Sequence, residues 1–517
     1  MAINRRLVLG GAGLGVASAA TVAGARPARS QNISTTTVAF RVVDFGAVGD
    51  GTADDAPAIQ AALDAAVSSG GGRVHLPVGE YKLQNRLTLG DGIDLVGDGP
   101  QSVLKPVFQA SPVINRVIDN DWINGNHNIA LRNFKIDRSG ANVQHGILLN
   151  GVTNLLVDGI EVSGFPSTTS GCLSISAVGP ASRLLTSSSR VVNCTFADTS
   201  NFGVQVGYVN GCVIANNNAH NAGREVFGVE PEIGSAASNV VITGNTITGA
   251  ESVDGSVTGL IIATVSSGGS IAGVTITGNV LRHPSGLGTY NPGVLVLGGD
   301  AVNITANSIH GMPGSGIQIG NKAHPTSGVV ISGNTVSDCG RSGGAPGIRL
   351  RNASHCTVTG NYVHGSGHTS SIAEEFGSND NLIGVNSLRD ATPVDSSAEG
   401  TAVFGNKFSD RSAATIAGAG YAMKRSEVVQ DYTILSSDYL VAITDTASPR
   451  EIALPPANAT LAGTLFLLKD ESGGAGANNI TVTGAGADTI DGANSLMLKT
   501  DYASVRIYCT GTGWAVI

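Results

Sequence analysis

The chain has 517 residues, with 71 Gly, 18 Pro, 41% hydrophobic, 13% charged and 4% aromatic residues, which excludes a disordered acidic chain or a coiled coil and favours many short strands joined by tight turns. The net charge of −9 is spread along the sequence without a run of Lys and Arg, so nucleic-acid binding lacks its electrostatic footprint.

Residues 1–30 pair Arg5 and Arg6 with a weakly apolar Gly/Ala-rich stretch and end near Ala23-Gly24-Ala25, a small-residue cleavage site. This pattern reads as a twin-arginine-type signal peptide and places the mature protein in the periplasm or outside the cell. Leu7 to Gly24 is too rich in Gly and Ala for a membrane span, so no membrane association is expected. The six cysteines (Cys172, Cys194, Cys212, Cys339, Cys356 and Cys509) show no metal-ligand spacing and read as packing residues. With no Asp cluster for calcium either, neither a metal nor a cofactor is expected.

In "VVDFGAVGDGTADDAPAIQAALDAAVSSGGGRVHLPVGEYKL" (42–83), Thr52 or Asp54 can cap a helix with Pro57 in its first turn. Ile59, Ala62, Leu63 and Ala66 give that helix one apolar stripe, and Gly70-Gly71-Gly72 ends it. The segment resembles the N-terminal cap of the pectin-lyase-like superfamily of carbohydrate-active β-helix proteins, through Asp44-Phe45-Gly46-Ala47, Gly49-Asp50-Gly51, Asp54-Asp55 and Ala58-Ile59-Gln60. The resemblance implies an all-β, right-handed parallel β-helix with an N-terminal capping helix, in which Asp44, Asp50, Asp54 and Asp55 hold turns. It does not specify a reaction.

Five segments share one pattern, "NVVITGNTITG" (239–249), "GVTITGNVLRH" (273–283), "VNITANSIHG" (302–311), "VVISGNTVSDCG" (329–340) and "CTVTGNYVHGSG" (356–367). Their Asn recurs at 245, 279, 307, 334 and 361, a period of 27 to 34 residues suited to stacked coils. Asn133 and Asn217 extend the column one way, with Cys194 in an Asn slot, and Asn386 and Asn406 the other. An inward ladder bonding successive coils explains it better than a binding stripe.

A second strand follows in each coil, "HGILLN" (145–150), "FGVQVG" (202–207), "FGVEPE" (227–232), "GLIIAT" (259–264), "GVLVLG" (293–298), "GIQIGN" (316–321) and "GIRLRN" (347–352). Aligned on Gly, alternation sends Leu148, Gln205, Glu230, Ile261, Leu295, Gln318 and Arg349 outward, and two residues on Asn150, Gly207, Glu232, Ala263, Leu297, Gly320 and Arg351. Glu230 and Glu232 then share a face with α-carbons about 6.5 Å apart, so that their carboxyl groups can sit anywhere in the roughly 5 to 9.5 Å range that glycosidases use for retaining or inverting cleavage. Like charges so close push their pKa values apart, leaving one acid and one base. The plainer reading is a pair of solvated surface glutamates. Gln205, Gln318, Arg349, Arg351, Arg224 and Glu225 are the expected substrate-binding groups, with His220 on the same turn, for a glycoside hydrolase or transglycosylase acting on a polysaccharide or oligosaccharide.

The alternative is a polysaccharide lyase site near Arg349 and Arg351, with His355, His364, His368, Glu374 or Glu375 as partners. Polygalacturonase chemistry is not expected, because "NTD" and "RIK" are missing and "QHG" (144–146) only faintly echoes Gly-His-Gly. The β-helix is expected over 38–409, a connector over 410–430 and a small antiparallel β module over 431–517. That module resembles C-terminal modules of phage tail-spike and fibre proteins, which implies a homotrimer and leaves a non-catalytic glycan-binding adhesin as a further alternative. Outward Ile261, Leu295 and Leu297 would form an apolar patch for such an assembly.

Overall fold

The computed structural model describes residues 39–517 except 109–115, 139–142, 166–170, 178–183, 200, 223–224, 250–258, 266–268, 284–291, 342, 366, 390–393, 397, 399, 405, 409–424, 436–437 and 461. The signal expected over residues 1–30 and most of the expected connector lie outside the described residues.

Each coil lays down three short strands, which form three parallel sheets of 14, 14 and 12 strands. The first sheet runs from Ala39–Arg41 to Ala402–Phe404, the second from Asp50–Asp54 to Lys407–Phe408, and the third from Leu87–Leu89 to Val394–Asp395. This is the parallel β-helix expected from the repeat. Pairing sets like on like, so that Ile242, Ile276, Ile304, Ile331, Val358 and Ile383 stack in one buried column. Branched side chains suit such a column because they pack rigidly on a pleated surface.

The helix Ala56–Ser68 buries Ile59, Ala62, Leu63 and Ala66. Beside it the buried Asp55 carboxylate accepts the Val48 and Gly49 N–H groups at 2.6 and 3.1 Å, and Asp50 accepts those of Thr52 and Ala53. These aspartates hold turns, as the sequence implied.

The Asn ladder runs through Asn217, Asn245, Asn279, Asn307, Asn334, Asn361, Asn386 and Asn406, each accepting on its side-chain oxygen the backbone N–H of the preceding rung. Cys194 takes the slot before Asn217, donating its N–H to Asn217 Oδ1 at 2.9 Å. Asn133 is not a rung: it is exposed in the left-handed region (φ 52°), and Phe134 fills the inward place. Residues at this corner alternate between a left-handed turn and an inward slot, and Asn serves either.

The small module has its own core, including Val441, Ile443, Phe466, Leu468, Ile507 and Trp514. It begins by Arg425–Val428, inside the expected connector, and its sheets are mixed rather than antiparallel. Parallel pairs such as Leu440–Ile443 on Leu465–Asp470 precede antiparallel ones such as Leu465–Asp470 on Ser504–Cys509. Alternation reveals a strand but not the direction of its partner. Among the described residues no helix is long and apolar enough to cross a membrane.

Candidate functional site on the third sheet

On the third sheet the outward column contains Leu148, Ser174, Gln205, Gly228, Ile262, Leu295, Gln318 and Arg349. This corrects the sequence register at two coils. Gln205 pairs with Gly228, not Glu230, and Ile261 and Ala263 belong to the core while Ile262 faces outward between them. The cause is a bulge. The Val226 carbonyl accepts the N–H groups of both Gly203 and Val204, at 3.0 and 2.9 Å, and Val226 and Phe227 are both wholly buried, breaking the alternation that fixed the register. Ile262 and Leu295 are covered, at 2% and 5% exposure, so the apolar patch expected from Ile261, Leu295 and Leu297 is not there.

Glu230 follows the end of strand Phe227–Val229 and donates its N–H to the Val206 carbonyl at 2.7 Å. Its carboxylate folds back over Gly228, where a Cβ would lie 2.3 Å from Glu230 Oε1. Glu230 is half-buried, Pro231 buried and Glu232 exposed, in a turn where Ser235 donates its N–H and hydroxyl to the Glu232 carbonyl. The pair therefore sits at a sheet corner, not within a strand.

Next to this corner lie two buried polar atoms without hydrogen-bond partners, Ser174 Oγ and Gln205 Oε1, on consecutive coils of the same column. Orphaned buried polar groups are rare in folded chains, and a bound water, ion or ligand group is one way to complete them. Ser174, Gln205, Gly228 and Glu230 thus form a polar floor with a gap that only glycine leaves open. A carboxylate there, with a second exposed beside it, can take up or deliver a proton.

The other expected site residues are less available. Gln318 donates Nε2 to the Gly320 carbonyl at 3.2 Å, and Glu225 is half-buried before the strand. Arg224 lies outside the described residues. His220 is on the second sheet, paired with Ala197, and does not share this face. Arg349 holds Glu375 through two 3.0 Å hydrogen bonds, and Arg351 Nε lies 3.3 Å from the same carboxylate. Glu374 is bonded by Asn381, Thr401 and Ser396. His364 packs on Tyr362 in the second sheet, His368 Nε2 accepts the Cys339 N–H, and His355 is exposed in a left-handed turn. Of the groups of the lyase alternative, Arg349, Arg351 and Glu375 come together, and the three histidines lie apart from them.

One feature escaped the sequence reading. His145, 4% exposed, stacks on Phe202 at 5.8 Å across Gly171, where a Cβ would meet the Phe202 ring at 1.9 Å. Burial first, and the Arg116 charge second, hold the imidazole pKa down at about 4. The clue was the "QHG" at 144–146. The six cysteines are all buried free thiols, and burial pushes Cys172, Cys194 and Cys339 up to about 12. Among the described residues no group of three or more His, Cys, Asp and Glu side chains is placed to hold a metal ion.

Residues 39–251 match the family described as rhamnogalacturonase A/epimerase, pectate lyase-like, and residues 258–428 match the right-handed β-helix region, bearing out the resemblance and the fold class. Among curated proteins the chain is 37% identical over 116 residues to mannuronan C5-epimerase AlgE1 of Azotobacter vinelandii, covering 21% of this chain and 8% of that protein. It is 55% identical over 53 residues to alginate lyase 7 of the same organism, covering 10% of this chain and 6% of that one. The chain therefore spans only a small part of the length of these relatives. Among solved structures, the A-module of Azotobacter vinelandii mannuronan C-5 epimerase AlgE6 has a TM-score of 0.57 at 21% identity, over 72% of this chain and 99% of that one. DFA-IIIase from Arthrobacter chlorophenolicus A6 has 0.50 at 13% identity, over 71% and 98%. These two likenesses show the fold alone.

Proposed function

We propose that this protein is an exported carbohydrate-active enzyme that works on a uronate-containing polysaccharide by moving the C5 proton, with Glu230 and Glu232 as the proton-transfer pair. The observation carrying this reading is the half-buried Glu230 carboxylate over bare Gly228, beside the unpartnered Ser174 and Gln205 atoms. Six of the seven curated relatives are named mannuronan C5-epimerases and the seventh an alginate lyase, which supports C5 chemistry over the hydrolysis expected from the sequence.

One carboxylate takes the C5 proton, and the resulting carbanion is delocalised into the sugar carboxyl group. If the other carboxyl returns a proton to the opposite face, C5 is inverted. If the 4-linked oxygen leaves first, taking that proton, the chain is cut by elimination. Both outcomes need one ionised and one protonated carboxyl. Gln205, the half-buried member of that column, holds the sugar's polar groups, and the wholly buried Ser174 lies beneath it.

Incubating the protein with a polyuronate in D2O tests this. Deuterium at C5 without chain scission means epimerisation, and an unsaturated-uronate absorbance means elimination. New reducing ends with neither signal would restore the hydrolase reading, and no change at all would leave a glycan-binding adhesin. The homotrimer rests on the C-terminal module, where Leu435, Tyr502 and Ile517 are exposed; a monomer mass by light scattering would remove it. Export rests on residues 1–30 and is tested by cell fractionation.

A further inference from the structure

Where successive coils turn out of the third sheet, Phe376 stands half exposed with φ at +54°, in the left-handed region that a bulky side chain avoids. At the equivalent step one coil earlier the chain uses Asn352, φ +53°, a residue at ease there. Turn geometry therefore does not explain the phenylalanine. Its ring carries two cations: Lys322 Nζ lies 4.4 Å and the Arg351 guanidinium 4.5 Å from the centroid.

Lys322, Arg349 and Arg351 stand against two carboxylates: Glu375, which both arginines engage, and Glu374, which is turned to Asn381, Thr401 and Ser396. Three positive charges less two negative leave a surplus of one, in a chain whose net charge is −9. Lys322 is exposed and has no carboxylate partner among the described residues, and Arg351 Nε, though 3.3 Å from Glu375, lacks a hydrogen bond of proper geometry. A hollow of about 310 Å³, lined by Glu374, Glu375, Phe376, Gly377, Ser378 and Asn379, opens beside the ring.

Five strand steps separate Phe227–Val229, which leads into Glu230, from Ile372–Glu375, which leads into Phe376; at 4.7–4.9 Å per step the two corners lie roughly 24 Å apart along one edge of the sheet. We infer that Lys322, Arg351 and Phe376 form an anion-recognising subsite that holds a carboxylate-bearing sugar of the same polymer whose reacting residue lies at Glu230. Phe376 fixes the two cations at a spacing that a flexible lysine and arginine would not keep alone. The inference rests on the polyuronate reading above.

Affinity electrophoresis through gels containing a polyuronate or a neutral polysaccharide tests it without relying on turnover. F376G removes the ring and relieves the backbone, and K322Q removes one charge without breaking an ion pair. Both are expected to weaken polyuronate binding roughly fivefold, with neutral-polymer migration and unfolding temperature unchanged or, for F376G, unfolding temperature raised. Wild-type-like polyuronate binding by both variants would overturn the subsite and leave the proposed chemistry standing. An equal loss on neutral polymer would overturn its anion preference. A wild type that binds no polyuronate at all would remove the substrate reading itself.

Discussion

Glu230 lies over Gly228 so closely that a methyl group on residue 228 would sit 2.3 Å from its Oε1. The atom met is the end of a flexible side chain, so G228A should displace the carboxylate without disturbing the sheet. Activity is expected to fall at least about tenfold while stability changes by less than about 1 kcal/mol. Full activity in a well-folded G228A would mean that the observed carboxylate position is not the working one.

The Asn ladder predicts a sharp contrast between two asparagines. Asn279 is fully buried, donates to the Ile242 carbonyl and Asn307 Oδ1 at 2.9 Å, and accepts the Asn245 N–H and Nδ2 groups at 3.0 and 2.9 Å. N279A strands those partners and should cost about 4 kcal/mol in chemical unfolding. Asn239 is exposed, and its side chain donates to Asn210 Oδ1 at 2.9 Å, so N239A should cost less than about 1 kcal/mol. Equal costs would contradict the ladder's structural role.

The ladder was legible because its period is long and its residue nearly invariant within this one chain. The site was legible only in part. "FGVEPE" drew attention through two carboxylates in a charge-poor sequence, yet its register could not be read, because the Val226 bulge buries two consecutive residues and no residue type marks a bulge in advance. Ser174 was invisible for a related reason: its coil follows a stretch that does not match the Gly-aligned pattern. Arg349 and Arg351 were rightly placed on the outward face, but their capture by Glu375 depends on a contact between coils that spacing alone does not give.

His145 should make the protein acid-sensitive. Folded, its imidazole stays neutral down to about pH 4, whereas an unfolded His binds a proton near its ordinary pKa of 6.5. As pH falls through that window the unfolded state gains a proton that the folded state refuses, so stability drops by about 3 kcal/mol and then levels off. Urea unfolding at pH 7 and 4.5 should show a smaller loss for H145F than for wild type; identical losses would refute the assignment.

Gly171 sits where a Cβ would meet the Phe202 ring at 1.9 Å. G171A should cost about 1–3 kcal/mol through overpacking. In the F202A background the same change should be nearly neutral, and a cost that persists there would point to backbone strain instead.

The central claim is that Glu230 and Glu232 move the C5 proton of a uronate. The most direct measurement is the rate of deuterium incorporation at C5 of a polyuronate in D2O by wild type, E230Q and E232Q, with circular dichroism confirming the fold of each. The account predicts incorporation by wild type and a loss of about 10²–10⁴ in either variant with unfolding unchanged. Wild-type incorporation rates in both variants would contradict it.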